Sequence, residues 1–323
     1  MKAFVTGGTG FIGTHLVNAL LARGDAVTCL ARSPAKAAAL ERRGVRIVRG
    51  DLDNAAALRQ GCAGADVLVH LAGRIAARDQ GEFMRANRDG TANVLDAAVE
   101  QPPRRFVYVS SIAAAGPTVA GHPIDETRPP APVTPYGRSK LAGEVLVRAA
   151  ALPWTIVRPP IVYGEGDRAT FGIFRLANLG VVPLFGDGTQ QLSLIHVADL
   201  VAALLAVLAT ERTVGRVYFA AHPEITTARQ LAMGAGRALG KTPRVVPVAP
   251  PVARAVLWTA GVLARLAGRT ALLSGERAPE FLAPAWTCRP DALRRDGGWE
   301  ARIDLAAGLP RTAAWYRTEG WLR

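Results

Sequence analysis

The chain has 323 residues, half of them hydrophobic, and 39 lysines and arginines against 26 acids for a net charge of +13. That length and apolar content exclude a disordered chain and allow one large or two ordinary domains with a real core. Lysine occurs only at positions 2, 36, 140 and 241, and arginine is spread through both halves, so the charge forms no block of the kind that marks a nucleic-acid footprint.

Lys2 to Thr6 predicts a short strand, followed at once by Gly7, Gly8, Gly10 and Gly13. Leu16, Val17, Leu20 and Leu21 then recur at helical spacing, so the segment reads as strand, tight turn and helix. Glycines let a backbone approach a pyrophosphate, and a helix N-terminus offers free N–H groups and a positive dipole end. The candidate dinucleotide residues here are Gly7, Gly10, Phe11, Ile12 and Gly13.

Predicted strands and helices then alternate: Ala26–Leu30, Ala35–Arg43 (helix), Val45–Val48, Ala55–Gln60 (helix), Val67–Leu71, Glu82–Glu100 (helix) and Arg105–Ser110. This order implies right-handed crossovers and a doubly wound parallel α/β sheet, whose ligands sit at the carboxyl ends of the strands. After the second strand stands Arg32, where a site for NAD(H) usually carries an acid for the ribose 2′-OH. An arginine suits a 2′-phosphate, so NADP(H) is preferred, with NAD(H) as the alternative cofactor and an ordinary exposed arginine as the plainer reading. Asp51 and Leu52 follow the third strand, and Leu71, Ala72 and Gly73 the fourth. They are candidates for the adenine and nicotinamide sides of a groove, with simple turn chemistry as the alternative.

The fifth strand ends in Ser110-Ser111, and Tyr136-Gly-Arg-Ser-Lys140 opens a further helix. Four residues apart, Tyr136 and Lys140 share one helix face. An ammonium there can reach a ribose hydroxyl, and its charge favours a phenolate, drawing the usual tyrosine pKa of about 10 downwards.

The opening glycines, Asp51-Leu52, His70 to Gly73, Asn87, Ser111 and Tyr136-x-x-x-Lys140 together resemble the extended short-chain dehydrogenase/reductases, of the NAD-dependent epimerase/dehydratase type. The likeness continues through Arg158-Pro-Pro-Ile-Val-Tyr-Gly164, Ile195-His-Val-Ala-Asp199 and Trp315 to Trp321. It implies a Rossmann domain of residues 1–157 plus about 190–214 and a smaller C-terminal substrate domain of about 158–189 plus 215–323. It makes Tyr136 the general acid/base, Lys140 the ribose ligand, Ser111 the holder of the substrate oxygen and Asn87 a residue near the active site. Pro159 joins the cofactor set, and no metal is expected.

Departures from the family bear on substrate. Members that bind nucleotide sugars usually carry an asparagine shortly after Arg158 and a basic residue before His196. This chain has Pro159-Pro160 and Gln190 to Leu194 there. Arg158-Pro-Pro is more similar to members that reduce flavonoid, steroid or other lipophilic ketones, and bacterial 3β-hydroxysteroid dehydrogenase-like members also resemble the stretches 249–267, Leu272 to Leu282 and Trp315 to Leu322. The expectation is an NADP(H)-dependent oxidoreductase for a lipophilic ketone or secondary alcohol, with a nucleotide-sugar epimerase or dehydratase holding NAD as the alternative.

The apolar helix expected over 249–267 has three readings: a buried helix of the substrate domain, a lid, or a peripheral membrane contact. His196 and Asp199 read as a structural link between the domains. Ala97, Ala98, Ala142 and Gly143 would permit helix packing in a homodimer. No nucleic-acid partner is expected. The three scattered cysteines, Cys29, Cys62 and Cys288, predict a reducing cytoplasm, and with only Met1 and Lys2 ahead of the first strand no cleavable leader is expected.

Overall fold

The computed structural model describes residues 1–267, 270 and 274–322; the part of the Leu272 to Leu282 likeness at Leu272 and Leu273 lies outside the described residues. The strands are β1 (Lys2–Thr6), β2 (Ala26–Ala31), β3 (Arg46–Arg49), β4 (Val67–His70), β5 (Arg105–Val109), β6 (Trp154–Arg158), β7 (Ile161–Tyr163), β8 (Val181–Phe185), β9 (Gln191–His196), β10 (Arg216–Phe219), β11 (Ile225–Thr227), β12 (Arg244–Val248) and β13 (Ala285–Trp286). Seven of them form a parallel sheet in the order β10-β6-β5-β4-β1-β2-β3. The direction of winding reverses between β1 and β4, and ligands of such sheets bind at the carboxyl ends beside that point.

The strand alternation divides two cores. Val5, Val69, Val107 and Val157 pack with the helices Phe11–Ala22 and Val197–Ala209 on one face. Phe4, Leu68, Phe106 and Ile156 pack on the other with Ala55–Cys62, Gly90–Glu100 and Pro135–Ala149. Strands apolar on both sides are what a sheet covered by helices on both faces requires.

The remaining strands form a four-stranded sheet of β11, β9, β13 and β7 and a separate β8–β12 pair. They pack with the helices Phe171–Asn178, Ala228–Ala238 and Leu305–Thr318 around a third core that includes Phe174, Leu231, Trp286 and Tyr316. Two segments lie otherwise than the sequence boundaries place them. Arg216–Phe219, assigned to the smaller domain, is the edge strand beside β6, and Gln191–His196, assigned to the larger, is central to the small sheet. Short strands that cross between lobes carry no local mark of the sheet they will join. The Asp199 carboxylate accepts from the Arg302 and Ile303 amides at 3.0 and 2.8 Å, a linking role.

The long helix expected over Glu82–Glu100 is interrupted. Gln80–Met84 and Gly90–Glu100 flank a π-turn at Arg85–Asp89 that turns Asn87 inward. Such π-turns often mark functional positions. The helix Pro250–Leu266 buries Ala253 and Leu257 but exposes Val252, Val256, Trp258, Leu263 and Leu266, so it is not the wholly buried helix among the three readings. No helix among the described residues is long and apolar enough to cross a membrane.

Candidate active site

The turn after β1 needs glycine on steric grounds. Gly7 has φ +76°, and a Cβ there would lie 2.7 Å from the Ala72 nitrogen. At Gly13 it would lie 2.1 Å from the Gly7 carbonyl oxygen, and at Gly10 3.2 Å from the same atom. The turn is thus packed against Leu71 and Ala72, and the helix Phe11–Ala22 starts at Gly10 with no side-chain cap and no acid in its first turn. This cradle of close backbone and uncapped N-terminus, with Phe11 and Ile12 opening the helix, fits a dinucleotide pyrophosphate. Arg32 is exposed just past β2. The Gly50 amide donates to the Ala31 carbonyl at 3.2 Å, which brings the Asp51 loop beside Arg32. Asp51 is exposed and Leu52 half-buried, its carbonyl accepting from Asn93 at 2.8 Å.

The catalytic candidates converge at the ends of β4 and β5. Thr134 caps the helix Pro135–Ala149 by accepting from the Gly137 amide at 3.1 Å. A Cβ at Gly137 would lie 2.2 Å from the Ala113 carbonyl oxygen, so the lack of a side chain lets this helix press against the short Ile112–Ala115 helix. That contact brings Tyr136 near Ser111, whose hydroxyl acts to lower the pKa of the Tyr136 phenol. Ser111 also caps its own helix, accepting from the Ala113 amide at 3.1 Å. Ser110 instead donates to Glu144 at 2.6 Å in the interior, which separates the two neighbouring serines. The Pro159 carbonyl accepts from the Ile112 amide at 2.9 Å and anchors the end of β6 here.

Lys140 is buried, donates to the Val109 carbonyl at 2.8 Å and lies over the Tyr108 ring at 4.2 Å. Burial pulls its pKa down to about 7, against the opposing pull of Glu144. Asn87 accepts from the Arg74 amide at 2.7 Å and donates to Ser139 at 2.8 Å. It ties the loop after β4 to the helix of Tyr136, and a Cβ at Gly73 would meet Asn87 at 2.8 Å and Lys140 at 3.9 Å. The Tyr136 phenol is held above its usual value, because burial outweighs the lowering influence of the nearby Ser111 hydroxyl. The downward pull expected from Lys140 is therefore not what governs the phenol in this arrangement.

Several residues at the site were not read from the sequence. Glu144 lies one helical step beyond Lys140, and the Tyr136, Lys140, Glu144 spacing was the available signal. Its carboxylate takes Arg158 Nε at 2.8 Å and Nη2 at 2.6 Å, with both side chains buried. Arg277 and Glu280, ion-paired at 2.6 Å, act on the Tyr136 phenol, Glu280 raising and Arg277 lowering its pKa. No local pattern marks them.

His70 links the glycine side to the catalytic side. Its Nδ1 lies 2.6 Å from Thr6 Oγ1 and its Nε2 3.0 Å from Thr91 Oγ1, which itself donates to the Asn87 carbonyl. Thr91 has one proton to give, so Nε2 donates to it and Nδ1 accepts from Thr6. Burial first, and the Lys140 charge second, push the His70 pKa from 6.5 to about 3. Between those values the unfolded chain binds a proton that the folded chain refuses. This contribution is complete above about pH 6.5 and is lost as pH falls towards 3. Urea titrations of His70→Gln should show a shallower loss of stability across that window than the wild type; parallel curves would contradict it.

A sequence model of the NAD dependent epimerase/dehydratase family matches residues 3–221. The chain is 34% identical over 324 residues to a ceramide reductase of Caulobacter vibrioides, covering 98% of this chain and 95% of that one. It is 32% identical over 323 residues to a 4-hydroxy-2-methyl-3-oxo-4-farnesyl-3,4-dihydroquinoline-1-oxide ketoreductase of Stigmatella aurantiaca, covering 96% and 95%. Among solved structures, MoeE5 in complex with UDP-glucuronic acid and NAD superposes with a TM-score of 0.80 at 26% identity, covering 99% of this chain and all of the other. With its glycine cradle, its Ser111, Tyr136 and Lys140 cluster and these relatives, the chain belongs to the NAD-dependent epimerase/dehydratase family of extended short-chain dehydrogenase/reductases and is an enzyme of the NAD(P)-dependent oxidoreductase type.

Proposed function

We propose that the enzyme is an NADP(H)-dependent reductase of lipophilic ketones, or dehydrogenase of the corresponding secondary alcohols. The observation that carries this reading is the close packing of the Ser111-capped helix Ile112–Ala115, at the end of β5, on the helix that carries both Tyr136 and Lys140. Gly7, Gly10 and Gly13 with the Phe11 and Ile12 amides would hold the pyrophosphate of a bound dinucleotide and Arg32 its 2′-phosphate, with Asp51, Leu52, Leu71, Ala72, Gly73 and Pro159 completing the set of residues that would hold it. When bound, the dinucleotide supplies hydride to the carbonyl carbon. Ser111 donates to the carbonyl oxygen and Tyr136 delivers the proton it needs; in the oxidative direction Tyr136 accepts that proton. Lys140 orients the ribose, and Asn87 positions the loop and helix around it.

The lipophilic class is supported by the two relatives above, one named for ceramide and one for a farnesylated quinoline oxide. It is supported too by the use of the Gln190–Leu194 stretch inside the protein: Gln190 donates to the Ala283 carbonyl at 2.7 Å, Gln191 accepts from the Gly121 amide at 2.7 Å, and Leu194 is buried. A nucleotide-sugar epimerase or dehydratase with bound NAD is the second reading, favoured by the likeness to MoeE5. It would draw on Arg168 or Arg175 for a diphosphate, and Arg168 lies over the Trp321 ring at 4.9 Å.

NADPH and NADH oxidation across paired panels of long-chain ketones and nucleotide sugars tests the reading. Turnover of ketones with NADPH supports it, and turnover confined to nucleotide sugars overturns it. Arg32→Asp should weaken NADPH binding at least about tenfold while leaving NADH within a few-fold, since a lost charge-assisted phosphate contact is worth about 1.5–3 kcal/mol. Equal loss for both cofactors in titrations would remove Arg32 from the 2′-phosphate.

The cytoplasmic setting and the homodimer belong to this proposal. Ala97, Ala98 and Gly143 are buried within the chain, because their small size serves packing between its own elements. In the proposed homodimer, the outward faces of the same two helices, where Val99 and Val145 are exposed, would meet the second copy.

A further inference from the structure

The solvent-facing side of Pro250–Leu266 carries Val252, Ala255, Val256, Thr259, Val262, Leu263 and Leu266, at the angular positions left by the buried Ala253 and Leu257. Leu266 is 80% exposed, Trp258 63%, Leu263 61% and Val252 54%. Thr259, the one hydroxyl on this face, donates back to the Ala255 carbonyl at 2.8 Å. The face is therefore apolar in effect as well as in composition. No acid occurs in the helix, and between Lys241 and Arg277 the sequence has arginines at 244, 254, 265 and 269 against Glu276 alone. Trp258, a residue favoured at bilayer interfaces, lies at the edge of the stripe.

We propose that this helix lies in the headgroup layer of an anionic membrane, its apolar side down and the exposed Arg254 available to the lipid phosphates. An amphipathic helix with basic borders binds in that plane without crossing. A second copy of the chain is the less suitable occupant, because a two-fold contact sets the same patch against itself and would oppose arginine to arginine. The helix also packs, through its buried side and Trp258, against the segment that leads to Arg277. A side chain on Gly275 would sit 3.5 Å from Trp258, and one on Gly261 3.3 Å from Ser274. The segment in contact with the helix thus leads within two residues to Arg277, whose ion pair with Glu280 acts on Tyr136. Membrane docking brings lipid beside that segment, and it stands whether or not the substrate is a lipid.

Flotation with vesicles tests the proposal on the full chain. The wild type should float with phosphatidylglycerol-containing vesicles at low salt, less so at high salt and little with phosphatidylcholine alone. Val256→Glu/Leu263→Glu, both exposed positions, should lower the floated fraction at least about tenfold with unchanged circular dichroism. Brominated lipid should quench wild-type tryptophan fluorescence, and Trp258→Phe should remove most of that quenching. A wild type that stays at the bottom with anionic vesicles at low salt overturns the proposal. So does a double variant that floats equally well, or one that turns a dimer into a monomer while neither protein floats.

Discussion

Tyr136→Phe is expected to lower ketone turnover by about 10²–10⁴-fold, the range for removal of a general acid, with NADPH affinity kept within a few-fold. The substitution deletes one oxygen and leaves the ring, which packs against Phe83 with centroids 6.0 Å apart, so the fold has no reason to change. Ser111 keeps its second role as a helix cap through the Ala113 amide, and Lys140 keeps the Val109 carbonyl. The expected loss is therefore confined to proton delivery. Near-normal turnover with intact cofactor binding would exclude Tyr136 as the acid.

Glu144→Ala is expected to destabilise the protein by about 3–5 kcal/mol, as is typical when one partner of a buried pair is removed. The carboxylate serves Arg158 through two bonds and Ser110 through a third. Its loss leaves a guanidinium 1% exposed without its counter-charge. The Lys140 pKa should fall further, because Glu144 is the charge that raises it. The joint replacement Glu144→Leu/Arg158→Met should recover much of the stability, since it removes both charges together. Urea unfolding of the three proteins measures this; a single variant as stable as the wild type would show the pair to be dispensable.

What was legible in the sequence was what is local. The glycine turn and the Tyr136–Lys140 spacing each lie within one strand-turn-helix or one helix, where period and residue type speak directly. Glu144 was within reach of the same spacing. The π-turn that points Asn87 inward was not, because one residue of extra winding leaves the apolar pattern of Glu82–Glu100 almost unchanged. Arg277 and Glu280 reach Tyr136 only through tertiary packing, more than a hundred residues along the chain. The short β7, β11 and β13, of three, three and two residues, are held by pairing with β9 and carry too little sequence to announce themselves. The exposed side of Pro250–Leu266 was visible as an apolar run, but which side faces outward depends on what packs beneath it.

The most direct test of the central claim is the fate of hydrogen at C4 of the nicotinamide. With NADPH deuterated at C4 on the transferred face and a long-chain ketone, the account predicts deuterium at the carbinol carbon of the product, one atom for each NADPH oxidised, read by mass spectrometry. Net oxidation without label in the product would contradict it, as would conversion of a nucleotide sugar with the cofactor regained unchanged and no ketone reduced.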